Sequence, residues 1–103
     1  MPYVQLDASY CDQFQAWVAE GWPQKWGYSP GAVYRAWRLV PRCWCTTANK
    51  DNHLVAEVTL RQVLSMGKGM IQDYPGIGER TIEVVGSFMM YLGVKTADGW
   101  DGS

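Results

Sequence analysis

A glycine turn that leads into an apolar helix is the feature of this sequence that most limits its fold. Residues 74–93 read Tyr-Pro-Gly-Ile-Gly-Glu-Arg-Thr-Ile-Glu-Val-Val-Gly-Ser-Phe-Met-Met-Tyr-Leu-Gly. Apolar residues recur there at helical spacing, at Ile82, Val85, Met89 and Leu92. The pattern predicts a helix that begins near Gly78 and is capped by Gly93, since glycine readily takes the left-handed cap conformation.

The turn also predicts a place for an anion. Gly76 and Gly78 have no Cβ, so both can adopt positive φ and let a ligand approach the backbone. The first amides of the following helix lack partners and lie at its positive end. Arg80 adds a charge and Thr81 a hydroxyl in that first turn. The segment therefore predicts a phosphate site; the alternative is a turn that serves packing alone.

This segment resembles the helix-hairpin-helix motif, in which Pro-Gly-Ile-Gly joins a short helix to a longer one and binds the DNA backbone without reading sequence. Residues 68–73 are the candidate short helix. A wider segment is similar to the C-terminal domain of the bacterial RNA polymerase α subunit, and the similarity is strongest over residues 59–94. Residues 29–39 are the candidate for an earlier helix of that domain. The resemblance covers residues 29–94.

The resemblance implies roles for residues of the hairpin. In that family the hairpin glycine, a basic residue and a hydroxyl residue touch the DNA backbone, and the matching positions here are Gly78, Arg80 and Thr81. The position after the glycine is commonly basic in the family, whereas this chain has Glu79. A carboxylate there suits the helix dipole but repels phosphate.

The earlier helix departs from the family in its groove-reading residues. The family usually places an Arg and an Asn there that enter the minor groove, and this chain has Tyr34 and Trp37 at those positions. Arg35 and Arg38 lie beside them in sequence, and Arg42 follows. We expect these three arginines to extend the contact with phosphate.

The charge distribution is uneven although the net charge is only −1. Such a charge differs from that of a strongly basic nucleic-acid-binding protein. Between residues 21 and 50, however, the chain has no acidic residue and carries Lys25, Arg35, Arg38, Arg42 and Lys50. This pattern predicts a polarised surface; its alternative is an ordinary solvated helix face.

The three cysteines are interpreted as buried thiols. An odd number cannot pair completely within one chain, which fits a reducing compartment. Cys11, Cys43, Cys45 and His53 would together suit zinc, but Cys-x-Cys is tighter than the usual spacing. We therefore predict no metal and no cofactor.

The sequence contains no nucleophile motif and no suggestive carboxylate pair, so the chain is predicted not to be an enzyme.

Size and hydropathy predict one small cytoplasmic domain. The chain has 103 residues, 48% of them hydrophobic, but no apolar run of about eighteen residues that could span a bilayer. Its first residues do not form a secretory signal pattern. We predict a mainly α, single domain over residues 1–94, followed by a flexible tail over 95–103.

The order of elements is predicted from capping signals and breakers. Ser9 with Asp12 resembles a capping box for a first helix, which is additional to the polymerase-like part. Ser29 precedes Pro30 as the cap of a second helix, which is predicted to end before Pro41.

The segment over residues 43–58 leaves two alternatives open. Its two apolar stretches flank the turn-prone residues 48–52, which favours a short β-hairpin. Alternatively, Asn52 caps a helix that runs to Ser65.

The chain has six tryptophans, which suggest a second hypothesis for function. Core packing is expected of Trp17, Trp37 and Trp44. The other three lie near breakers or in the tail and could anchor a protein partner: Trp22, Trp26 and Trp100. We expect the first two of these to be at least half packed against the first helix and Trp100 to be free.

Two functions follow from the sequence. The first is DNA-backbone binding in transcription regulation, with double-stranded DNA as the partner. A free-standing domain of this kind would suit a phage protein. The second is a protein-interaction module or inhibitor that engages RNA polymerase or another complex without binding DNA.

Overall fold

The computed structural model describes residues 5–47 and 54–94, which form a bundle of helices. The elements are α1 (Tyr10–Ala19), α2 (Trp22–Lys25), α3 (Pro30–Thr47), a 3₁₀ turn (Val55–Glu57), α4 (Leu60–Leu64), α5 (Lys68–Gln72) and α6 (Glu79–Leu92). The only β pairing among these residues is an isolated bridge between Ser9 and Thr59. The predicted mainly α fold is confirmed. The residues outside these ranges include His53, Trp100 and the predicted tail.

The predicted helix starts are confirmed by hydrogen bonds of the capping side chains. The Ser9 hydroxyl accepts from the Asp12 amide at 3.3 Å and caps α1. The Ser29 hydroxyl accepts from the Ala32 amide, also at 3.3 Å, immediately before Pro30 opens α3. Each hydroxyl satisfies one of the amides that the first turn of a helix leaves without a partner.

The prediction that α3 ends before Pro41 is wrong, because the helix continues through this residue. Proline has no N–H, so the Trp37 carbonyl loses its usual partner in the helix. The Cys11 thiol donates to this carbonyl, with Sγ 3.6 Å from the oxygen. The neighbouring Ala36 carbonyl accepts from the Tyr10 hydroxyl at 2.8 Å. Side chains of α1 thus compensate for the irregularity in α3.

Both alternatives for residues 43–58 are wrong. The proposed first β-strand lies in the last turns of α3, and Val55–Glu57 is a 3₁₀ turn. A helix from Asn52 to Ser65 is not formed either, because Val58 and Thr59 have extended backbone between that turn and α4. Asn52 itself is outside the described residues. Thr59 forms the capping box of α4, which places the helix start after it.

An aromatic cluster joins the first helix to the last and forms the centre of the core. Tyr10, Phe14 and Trp17 of α1 surround Phe88 of α6, with ring centroids 5.1 to 5.6 Å from that of Phe88. Edge-to-face and tilted pairs of this kind stabilise beyond the area that they bury. The α1 helix is therefore an integral part of the domain.

In the part of the chain that the structure describes, no helix has the length and apolar character needed to cross a bilayer.

Candidate nucleic-acid interface

The glycine turn joins two helices, as the sequence predicts. The short helix α5 ends at Gln72 and the longer α6 begins at Glu79. Between them Ile77 is buried, which anchors the turn to the core. Gly93 closes α6 in the left-handed conformation, with φ 71°. We call residues 73–78 the hairpin turn.

The two glycines of the hairpin turn have different conformations. Gly76 has φ 93°, which confirms the predicted positive φ. The same prediction for Gly78 is wrong, because its φ of −103° and ψ of −175° are those of extended backbone. A Cβ built on Gly76 would lie 3.0 Å from Leu39 Cδ1, whereas one on Gly78 would meet no atom within 4 Å. Gly76 thus turns the chain against α3, and Gly78 leaves the start of α6 open.

The open end of α6 offers backbone donors. The Ile82 amide donates to the Gly78 carbonyl at 3.1 Å, and this is the first hydrogen bond of the helix. The preceding amides, of Glu79, Arg80 and Thr81, have no partner within the helix, and no side chain caps this end. The Arg80 guanidinium is exposed and lies 3.4 Å from the Glu83 carboxylate.

The Thr81 side chain does not have the position expected of a phosphate ligand. The residue is only 1% exposed, and its hydroxyl is buried without a hydrogen-bond partner among the described residues. A phosphate outside the protein cannot reach this oxygen in the observed conformation. Of the Thr81 groups, only the backbone amide therefore remains a candidate for anion binding.

The three arginines of α3 lie on one exposed face of the helix. Arg35, Arg38 and Arg42 are spaced three and four residues apart, which places them on the same side. None of them forms an ion pair with a residue in the described ranges. We call this surface the arginine face. It extends about 10 Å along the helix axis at 1.5 Å per residue.

The hairpin turn lies close to the arginine face, as the approach of Leu39 to Gly76 shows. Leu39, which touches the Cβ position of Gly76, lies four residues after Arg35 and three before Arg42. It is therefore a neighbour of both arginines on the helix surface. The structure thus brings together the α3 arginines and the turn, which are more than thirty residues apart in sequence.

The positive charge of this region is concentrated on α3 rather than on the hairpin. The hairpin and the first turns of α6 carry Asp73, Glu79 and Glu83 against the single cation Arg80. In contrast, α3 has three arginines and no acidic residue along its length. The arginine face is therefore the more positive part of this region.

The tryptophans predicted to anchor a partner differ in their packing. Trp22 is half-buried, with its ring centroid 5.8 Å from that of Tyr91 and 4.7 Å from the Lys25 ammonium. The expectation of a packed side chain is confirmed for this residue. It is wrong for Trp26, which is 63% exposed. The expectation for Trp100 lies outside the described residues.

A cleft that the sequence analysis did not identify lies between α1, α2 and α3. Its volume is about 440 Å³. The side chains that matter for its chemistry are four aromatic residues and two carboxamides: Phe14, Tyr28, Tyr34, Trp37, Gln15 and Gln24. The signal in the sequence was the placement of Tyr34 and Trp37 one turn apart on α3, but the cleft also needs residues from two other helices.

The cysteines have the environment of core thiols. All three are buried, as predicted. Burial raises the pKa of Cys11 to about 11 and also raises the pKa of Cys43. A raised pKa keeps a thiol protonated and unreactive near neutral pH. Within residues 5–47 and 54–94, no three metal-binding side chains converge, and His53 lies outside these ranges.

No family model matches this chain, and neither the curated proteins nor the solved structures give a match. The resemblance to the polymerase α C-terminal domain therefore rests on the residues that suggested it. The candidate interface consists of the arginine face, the hairpin turn and the open end of α6.

Proposed function

We propose that the protein binds double-stranded DNA through the phosphate backbone, with the arginine face as the main contact and the hairpin turn as the second. The observation that carries this proposal is the contact between Leu39 and Gly76. It supports the proposal because it places the turn next to the helix that carries the arginine face.

Each part of this surface supplies a different type of phosphate contact. The guanidinium groups of Arg35, Arg38 and Arg42 have no acidic partner among the described residues, so each is available to a phosphate. Arginine binds phosphate with two parallel hydrogen bonds. The first amides of α6 add uncharged donors at a positive helix end. Contacts of this kind fix the position of a protein on DNA but carry no sequence information.

The biological role that we propose is regulation of transcription, in contact with RNA polymerase or another complex. It is supported by the resemblance of residues 29–94 to the polymerase α C-terminal domain. A protein that occupies the same type of backbone site without reading bases would compete with that domain or substitute for it. A phage protein would fit this role.

A titration of labelled duplex at several salt concentrations tests the proposal. If two to four phosphates are neutralised, log K should fall against log salt with a slope of about −2 to −4. Replacing Arg42 with Ala should reduce the magnitude of this slope by about one and weaken binding similarly on unrelated sequences. Arg61→Ala is the matched control, because Arg61 is an exposed arginine of α4 that pairs with Asp7 at 2.9 Å.

The hairpin contribution needs a separate variant. Arg80→Ala should weaken duplex binding less than Arg42→Ala, because Glu83 already offsets the Arg80 charge. Circular dichroism of each variant should show an unchanged fold, since all of these side chains are exposed. Duplex affinity that responds neither to salt nor to the α3 arginines would refute DNA binding.

The exposure of Trp26 favours a second candidate, a protein-interaction module. An indole that is 63% exposed is a potential anchor for a partner, because tryptophan is enriched among residues that dominate binding energy. In this case Trp26→Ala should cost about 2 kcal/mol of affinity for purified RNA polymerase and leave stability unchanged. Equal binding of this variant and the natural protein would argue against Trp26 as an anchor.

A further inference from the structure

We infer that the cleft between α1, α2 and α3 holds an unpaired base of single-stranded nucleic acid, with the adjoining phosphates on Arg35 and Arg38. The inference shares the arginine face with the proposed function and in this respect rests on it. It goes further because it adds a site for the base and a preference for a strand whose bases are unpaired.

The walls of the cleft suit a flat aromatic group. Phe14, Tyr28, Tyr34 and Trp37 line it, and the Tyr34 and Trp37 rings lie 5.8 Å apart between centroids. Tyr34 is 55% exposed, so part of its ring is available to a ligand. The volume of the cleft, about 440 Å³, is typical of sites for small organic groups. Bases stack on such side chains with little dependence on sequence.

The polar groups of the cleft suit the edge of a base. Gln15 and Gln24 line it, and each carboxamide offers two N–H donors and a carbonyl acceptor. These groups can pair with the mixture of donors and acceptors that every base presents. No Asp, Glu, Lys or Arg is among the lining residues. A charged group would lose its hydration there without compensation, so the buried part of the ligand must be neutral.

Positive charge is located at the rim of the cleft rather than inside it. The Arg35 guanidinium folds back along α3, and its Nη2 lies 3.7 Å from the Cβ position of Gly31. The residue before this glycine, Pro30, lines the cleft. Arg38 follows Trp37 and, with that indole and Asp12, lines a smaller neighbouring cavity of about 220 Å³. A nucleotide has a neutral flat part for the cleft and an anionic part for the arginines at its rim.

The length of the arginine face favours a strand over a free nucleotide. From Arg35 to Arg42 it extends about 10 Å, which is more than one phosphate group requires. Successive phosphates of a strand can occupy it while one base enters the cleft. In a duplex the bases are paired and stacked, so none can enter without the cost of unstacking.

Binding of a fluorescein-labelled dodecathymidylate to the full chain, followed by anisotropy, tests the inference against a duplex of matched length. The single strand should bind more tightly than the duplex. Tyr34→Ala should weaken single-strand binding by about 5- to 150-fold, which corresponds to the loss of one stacked base. Tyr34→Phe keeps the ring and should bind like the natural protein. Trp26→Ala is the matched control, because it removes an exposed aromatic ring that does not line the cleft.

The outcomes separate this inference from the proposed function. Duplex binding that depends on Arg42, together with single-strand binding that is indifferent to Tyr34→Ala, would overturn the base site and leave the proposed function intact. If the protein bound neither the duplex nor the single strand, both the proposed function and the base site would be refuted. Competition by adenosine monophosphate as effective as that by unlabelled dodecathymidylate would identify a free nucleotide as the ligand and overturn the strand. Because Tyr34 is exposed, we expect the variants to fold, and their melting temperatures provide the check.

Discussion

Replacing Gly76 with alanine should destabilise the protein, while the same change at Gly78 should not. Gly76 has φ 93°, a conformation that costs a residue with a Cβ about 1 to 3 kcal/mol. The new methyl group would also lie 3.0 Å from Leu39 Cδ1, so the leucine side chain must shift. Together these effects should lower the free energy of unfolding by about 2 to 3 kcal/mol, since a flexible side chain relieves most of the contact.

For Gly78 two small effects should cancel. Its backbone is extended and a Cβ there would meet nothing within 4 Å, so alanine introduces no strain. Alanine is a poorer N-cap than glycine, but it also restricts the unfolded chain, which stabilises by about 0.4 to 1 kcal/mol. The net change should stay within about 0.5 kcal/mol.

Urea unfolding at fixed pH and salt measures both variants against the natural protein. A loss of 2 to 3 kcal/mol corresponds to a decrease in melting temperature of about 10 to 20 °C for a domain of this size. The double variant Gly76→Ala/Leu39→Ala should lose less stability than the sum of the losses in the two single variants, because Leu39→Ala removes the methyl group that crowds the new Cβ. Equal stability of the two glycine variants would refute the assigned turn conformation.

Three further predictions concern stability. Pro41→Ala should raise the free energy of unfolding by about 1 kcal/mol, because the new amide restores a helical bond worth more than the lost ring packing; chemical denaturation measures it. The free energy of unfolding should fall as the pH rises from about 9 to 11, because the Cys11 thiol releases its proton at lower pH in the unfolded chain than in the folded one. In the Cys11→Ala variant this decrease should be smaller. Urea unfolding across this pH range measures the difference. Trp22→Ala should cost about 2 to 4 kcal/mol of stability and Trp26→Ala less than 0.5, by thermal unfolding.

The helical elements could be predicted where the signals are local. The caps at Ser9 and Ser29 and the apolar spacing of α6 are each contained in a few consecutive residues, and all three are confirmed. The conformation of Gly76 followed from the same local logic. That of Gly78 did not, because a glycine before a helix can adopt either extended or left-handed backbone, and the sequence does not distinguish them.

The candidate site was predictable only in part because it depends on contacts between distant segments. The three arginines were identified from a segment without acidic residues, but their position beside the hairpin turn depends on how α3 packs against it, as the approach of Leu39 to Gly76 shows. The cleft needs side chains of three helices, so no single stretch of sequence indicates it. The burial of Thr81 was missed because a residue in the first turn of a helix faces solvent or core according to how the helix packs.

The continuation of α3 through Pro41 links the first helix to the proposed interface. A proline normally ends or bends a helix, since it leaves a carbonyl without its donor. Here the Cys11 thiol takes the place of the missing amide at the Trp37 carbonyl, and the Tyr10 hydroxyl donates to the carbonyl before it. The α3 helix continues past Pro41 and carries Arg42 on the same face as Arg35. Side chains of α1 thus contact the part of α3 that lies between Arg35 and Arg42 of the proposed interface.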